Sequence, residues 1–192
     1  METVSMSTQE LGDYANRINE GISQVDQAGF TAFLEALINT STGGGAVFVA
    51  GNGGSFATAN HFVTDLNKRS GSSKLRAFAL GANQSLLTMI GNDLGFEEIF
   101  SDELSRLGSE NDLLILLSAS GNSNNLIHAV KAARKLKMKV VGLTGFDGGQ
   151  LALLADISVH VPTKKGEYAL VEDAHSIICH FISVKLRDLK FE

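Results

Sequence analysis

The sequence predicts one α/β domain in three layers: a five-stranded parallel sheet with helices on both faces, preceded by an N-terminal helical pair. Three observations carry that expectation. From Ala46 onward, short apolar runs recur at 46–50, 76–80, 113–117, 139–143 and 157–161, each apolar on both faces, as strands are when a sheet is covered on two sides. A helix-sized interval separates each run from the next, the spacing that crossovers between parallel strands require. At 192 residues, with 44% hydrophobic and 19% charged residues, the chain is long enough for one self-sufficient core. Residues 1–192 therefore read as a single domain: about 1–45 the helical pair, about 46–192 the α/β core and C-terminal helix.

Taken in order, Ser7 and Glu10 have capping-box spacing ahead of Leu11, Tyr14, Ala15, Ile18 and Ile22, which recur on one helical face. A second helix carries Phe30, Phe33, Leu34, Leu37 and Ile38 on one stripe and ends in the polar, glycine-rich run 39–45. The two are expected as an antiparallel pair. Such a stripe packs either on its own sheet or on another subunit, and the interface is the favoured reading. The Gly- and Ser-rich stretch 69–74 reads as a surface loop. The last segment, about 167 to 189, places Leu170, Ala174, Ile177, Ile178, Phe181 and Ile182 on one face of a long helix.

Composition narrows the partners. A net charge of −5 excludes a broad surface for nucleic acid or anionic membrane, since both need clustered Lys and Arg. Any anionic ligand must be held locally. The longest apolar stretches, such as 113–117, are far below the roughly 20 residues that cross a bilayer. One cysteine, Cys179, allows no internal disulfide, and the amino end shows no basic segment followed by an apolar signal core, so the cytoplasm is the expected location.

Ligands of open parallel sheets bind beyond the carboxyl ends of the strands. The first strand runs into Gly51-Asn52-Gly53-Gly54-Ser55, where glycines admit a ligand to the backbone and the following helix offers free N–H groups and a positive end. This turn lacks the third glycine of G-x-G-x-x-G, and no segment matches G-x-x-x-x-G-K-[ST], so neither a dinucleotide nor a nucleoside triphosphate fits. After the third strand comes Ser118-Ala119-Ser120-Gly121-Asn122-Ser123, whose hydroxyls and helix-start N–H groups can bind a phosphate monoester without a lysine. Either turn alone is also compatible with an ordinary capped strand-to-helix connection.

His61 and Asp65 stand four apart on a helix and so share a face, able to reach one metal or substrate atom. Alone, that spacing more often makes a surface hydrogen-bonded pair; its place just after a ligand turn favours a site. The final helix adds Glu172, Asp173, His175 and His180, and imidazole with carboxylate suits zinc. Asp173 and His175 read as structural or surface residues. Cys179, among Ile177, Ile178, Phe181 and Ile182, reads as a buried inert thiol. His128 and His160 have no companion motif.

Gly51-Asn52-Gly53-Gly54-Ser55, Gly91-Asn92-Asp93, the serine-rich turn 118–123 and Leu143-Thr144-Gly145-Phe146-Asp147-Gly148-Gly149 together resemble the phosphoheptose isomerases of the SIS (sugar isomerase) family, across essentially the whole chain. The resemblance implies the SIS fold. It implies that Ser55, Ser118, Ala119, Ser120 and Ser123 surround the phosphate or sugar, and that Asn52, Gly53, Gly54, Asn92 and Asp93 contact substrate. It further implies one Zn2+ site formed by His61, Asp65, Glu172 and His180 and overlapping the catalytic site. Asp65, which also contacts substrate, stands where a glutamate is the usual base, and His180 stands at the general acid. The implied assembly is a homotetramer with sites at subunit contacts. The implied reaction takes sedoheptulose 7-phosphate to D-glycero-D-manno-heptose 7-phosphate.

Two positions depart from the family pattern. Asp65 is one methylene shorter than glutamate, and a carboxylate retracted by roughly 1 Å loses on the order of a hundredfold in rate if nothing adjusts. Glu172 replaces a glutamine typical of many members, adding a second carboxylate that contacts substrate or metal. There is also a geometric tension: residues 172 and 180 lie about 12 Å apart along a regular helix. Glu172 then precedes the regular helix, the two lean together, or one ligand comes from a neighbouring subunit. A noncatalytic SIS module that senses a phosphosugar or binds a protein, or an isomerase for another sugar phosphate, shares the same fold.

Overall fold

The computed structural model describes residues 7–68 and 75–188; the expected loop at 69–74 and residue 189, the expected end of the last helix, lie outside the described residues. Two helices come first, α1 (Thr8–Ser23) and α2 (Gln27–Thr42). They are followed by β1 (Ala46–Gly51), α3 (Gly54–Asn67), β2 (Arg76–Ala79), α4 (Gln84–Asp93), a 3₁₀ turn at Phe96–Glu98 and α5 (Ser101–Leu107). The chain continues through β3 (Leu113–Ser118), α6 (Asn124–Lys135), β4 (Lys139–Thr144), α7 (Gly149–Leu154), β5 (Ile157–His160) and α8 (Tyr168–Asp188). All five expected strands form, and they pair in parallel in the order β2-β1-β3-β4-β5.

The uniformly apolar strands are explained by what lies on each face. Val47 and Val49, Leu113, Ile115 and Leu117, and Val141 and Leu143 point to a layer built from Phe33 and Leu37 of α2, Phe62 and Leu66 of α3, and Ala174, Ile178 and Ile182 of α8. The intervening Phe48, Ala50, Leu114, Leu116 and Val140 point to Ile90, Leu104, Leu126, Val130 and Leu151 on the other side. Alternate side chains thus feed two separate apolar layers, and the central strands β1 and β3 are buried on both faces, while the edge strand β2 leaves Phe78 exposed.

At the amino end, Ser7 and Glu10 form the reciprocal capping box that starts α1. The two N-terminal helices then take different partners. α2 packs on the sheet, with Phe33 and Leu37 fully buried, so its stripe is core rather than the expected interface. The reason is its composition: five bulky apolar residues on one stripe, Phe30, Phe33, Leu34, Leu37 and Ile38, pack against the open sheet face directly. α1 instead lies along α8, where Tyr14 Oη donates to Asp173 Oδ2 at 2.5 Å and Arg17 pairs with Glu167. That hydrogen bond to the Asp173 carboxylate, with burial, pushes the Tyr14 phenol up to about 12.

The strand order places a switch point between β1 and β3: the chain leaves β1 toward one edge and returns to build the other. In this architecture the crevice for a ligand opens at the carboxyl ends of those two strands.

Candidate active site

Both sequence-marked turns lie at that switch point. β1 ends at Gly51, and α3 begins three residues later at Gly54 with Ser55 in its first turn, only 5% exposed. Glu172 of α8 rests against this turn. A Cβ added at Gly54 would lie 2.2 Å from Glu172 Oε2, so the glycine is what lets the carboxylate approach. On the other side of the crevice, Ser118 Oγ accepts the Gly121 N–H at 3.0 Å and Ser120 Oγ the Asn122 N–H at 3.3 Å. Ser123 occupies the N-cap of α6, but its hydroxyl makes no capping bond. Asn52 and Asn125 exchange two amide hydrogen bonds of 2.9 Å, stitching the β1 turn to the start of α6.

The β4 turn presses on the serine turn from behind. Gly145 N donates to Ala119 O at 3.1 Å and Leu151 N to Gly121 O at 2.9 Å. Gly121 has φ +63°, and a Cβ there would lie 2.0 Å from Gly148 O, so only glycine fits on both counts.

The second feature is a triad between α3 and α8. His61 Nε2 and His180 Nε2 are 3.3 Å apart, with Asp65 Oδ2 at 3.6 and 3.7 Å from them. A zinc ion bound at about 2.0–2.1 Å in tetrahedral geometry holds its ligand atoms roughly 3.3–3.4 Å apart. The three donors already stand near that separation. Asp65, despite its short side chain, reaches both imidazoles. The His61 and His180 side chains are 58% and 49% exposed, so a fourth position is open to water or substrate. Beside the triad is a cavity of about 330 Å3 lined by Asp65, His180, Lys68, Ser183 and Arg187. Two imidazole lone pairs and a carboxylate converging on one point fit a divalent cation of the zinc type.

Among the described residues, His61, Asp65 and His180 converge, and Glu172 does not join them within one chain. Residue 172 lies inside the continuous α8, which removes the alternative that it precedes the helix. It rests on Gly54, seven residues before His61, so Glu172 and the triad lie about 10 Å apart along the paired helices. Asn92 and Asp93 are exposed at the far end of α4, about 12 Å along its axis from its start beside β2. There Asn92 Nδ2 donates to Asp93 Oδ1 at 2.8 Å.

The residues read as structural have structural surroundings. His175 is fully buried, with Nε2 on Thr144 O at 3.3 Å and no partner for Nδ1 among the described residues; burial pushes it down to about 4. Cys179 is buried, which raises its thiol well above the usual range. His128 pairs with Glu98 at 2.9 Å, and His160 Nδ1 meets Thr144 Oγ1 at 3.0 Å. Sequence reasoning missed Asn125 as the partner of the site residue Asn52, and Tyr14 as the partner of Asp173. No local pattern marks either, because their partners are 73 and 159 residues away.

A family model described as SIS domain matches residues 12–145. A phosphoheptose isomerase of Syntrophotalea carbinolica is 38% identical over 185 residues, covering 94% of this chain and 91% of that protein. Among solved structures, the phosphoheptose isomerase of Neisseria gonorrhoeae superposes with a TM-score of 0.85 at 31% identity, over 95% of this chain and 97% of its own. That of Francisella tularensis gives 0.85 at 27%, over 96% and 100%. With the fold, the switch-point turns and these likenesses in agreement, the chain belongs to the phosphoheptose isomerase family of SIS domain proteins.

Proposed function

We propose that this protein is a phosphoheptose isomerase, interconverting sedoheptulose 7-phosphate and D-glycero-D-manno-heptose 7-phosphate. The observation that carries the reading is the His61–Asp65–His180 triad in a chain whose switch-point turns suit a phosphate and whose relatives bear that activity. The phosphate is bound by the hydroxyls of Ser55, Ser118, Ser120 and Ser123 and by N–H groups at the starts of α3 and α6. Asn52, Gly53, Gly54, Ala119, Asn92 and Asp93 complete the substrate contacts.

Ketose–aldose interconversion moves a proton between adjacent carbons through an enediol-like intermediate. Asp65 takes the proton from the carbon beside the carbonyl and returns it to the neighbouring carbon. His180 supplies a proton to the developing oxyanion and takes back the proton of the neighbouring hydroxyl as that carbon becomes the aldehyde. His61, Asp65 and His180 would hold Zn2+, with Glu172 as a further ligand or substrate contact. When bound, the metal supplies Lewis acidity that polarises or orients the substrate oxygens. His180 Nε2 would either hold the metal or carry the acid proton, since one nitrogen lone pair cannot do both.

Glu172 and the triad lie about 10 Å apart along α3 and α8, so a neighbouring copy is the route by which one site gains both. Two exposed apolar surfaces support a homotetramer with sites at its contacts. Ile177, Phe181 and Val184 flank His180 on α8, and Met89, Leu94 and Phe96 flank Asn92 and Asp93. No helix among the described residues is long and apolar enough to cross a membrane, and the reduced, buried Cys179 suits the cytoplasm.

The test is proton NMR of metal-free and zinc-restored protein with sedoheptulose 7-phosphate in heavy water. Zinc-dependent aldose signals and deuterium incorporation beside the carbonyl are expected. Folded, phosphosugar-binding protein that gives neither product nor exchange refutes the reading.

A further inference from the structure

We infer that Phe146 is a positioning residue for the serine turn: its ring clamps residues 118–123 in the shape that receives a phosphate. The inference rests on the reading of that turn as the phosphate site. Phe146 has φ +52°, a left-handed conformation that is an outlier for a bulky side chain and persists only where the surroundings impose it. Those surroundings are specific. The Phe146 N–H donates to Thr163 Oγ1 at 3.2 Å, and its ring meets Tyr168 edge-on at 4.9 Å and 78°. The side chain, 8% exposed, forms a small apolar cluster with Ala119 and Val171, separate from the layers on the two sheet faces.

Each member of that cluster sits beside site residues. Ala119 lies between Ser118 and Ser120, and Val171 precedes Glu172. One ring therefore joins the β3 turn, the β4 turn and the start of α8. The neighbouring Gly145 N–H bonds Ala119 O, so side chain and backbone hold the same residue of the serine turn. Among the described residues nothing comparable links Phe146 to His61, Asp65 or His180, which lie further along α3 and α8. The clamp acts on phosphate binding and not on the metal triad.

The experiment compares wild type with Phe146→Gly, which keeps positive φ without the ring, and Phe146→Tyr, which keeps the ring. Amide hydrogen exchange is followed at Gly121 and Gly145, whose N–H groups bond Ser118 Oγ and Ala119 O. KM and kcat are measured with sedoheptulose 7-phosphate, and zinc affinity by calorimetry. Phe146→Gly is expected to accelerate exchange at both amides and raise KM on the order of tenfold or more, with kcat and zinc affinity little changed. Phe146→Tyr is expected to restore exchange and KM. Wild-type exchange and KM in a folded glycine variant overturn the inference, as does a parallel loss of zinc affinity, which marks general loosening. Faster exchange together with a wild type that does not isomerise the sugar supports the clamp and refutes the proposed activity instead. If the glycine variant does not fold, Phe146→Leu carries the same comparison.

Discussion

Acidification should destabilise this protein through His175. The imidazole is fully buried on α8 with its Nε2 against Thr144 O, and burial holds it at about 4, against 6.5 for a free histidine. Because the folded value is the lower one, the unfolded chain takes up a proton first as pH falls. Between pH 6.5 and 4 the unfolded state binds more protons, so stability rises with pH across that window. The contribution is fully present above about 6.5 and lost as pH falls towards 4. At 1.36 kcal/mol for each pH unit, the displacement from 6.5 to about 4 corresponds to about 3 kcal/mol. A loss of that size is a large part of a domain's 5–15 kcal/mol. Urea unfolding of wild type and His175→Gln, at one protein concentration and several pH values from 7 to 4, isolates the group. Glutamine keeps a donor for Thr144 O but does not titrate. Wild type should lose about 3 kcal/mol more than the variant over this range. Equal pH slopes would refute the assignment, since His160 and the carboxylates titrate in both proteins.

Two further outcomes test the site. Gly54→Ala places a methyl group 2.2 Å from Glu172 Oε2 and should cost about 1–3 kcal/mol in thermal or urea unfolding and raise KM. Adding Glu172→Ala should recover most of that loss, and additive losses in the double variant would show that the two residues do not meet. Asp65→Asn removes the anionic donor from between His61 and His180 and should weaken zinc binding, read by calorimetry, by at least about tenfold. Unchanged affinity would place the metal elsewhere.

How much could be read beforehand follows from the range of each interaction. The central strands β1, β3 and β4 were legible because burial on both faces leaves runs almost wholly apolar, a signal contained in six consecutive residues, and the shorter edge strands β2 and β5 repeat it more weakly. The capping box at Ser7 and Glu10 was equally local. The fate of α2 was not, because an apolar stripe looks the same whether it covers its own sheet or another subunit. Only the packing of Phe33 and Leu37 against the sheet decides it. His61 and Asp65 were linked by helical spacing, but their meeting with His180 depends on α3 and α8 lying side by side. The same packing carries Glu172 to Gly54 and away from the triad.

The sequence by itself determined the layers, the parallel sheet and the two glycine- and serine-rich strand-to-helix turns, since hydrophobic period, glycine and serine act over a few residues. Tertiary structure alone decided which distant groups share a point: the Asn52–Asn125 stitch, the Tyr14–Asp173 bond, the Phe146 cluster and the triad. The physical reason is that such contacts depend on how helices lie on the sheet, and that arrangement is set by the packing of both apolar layers together.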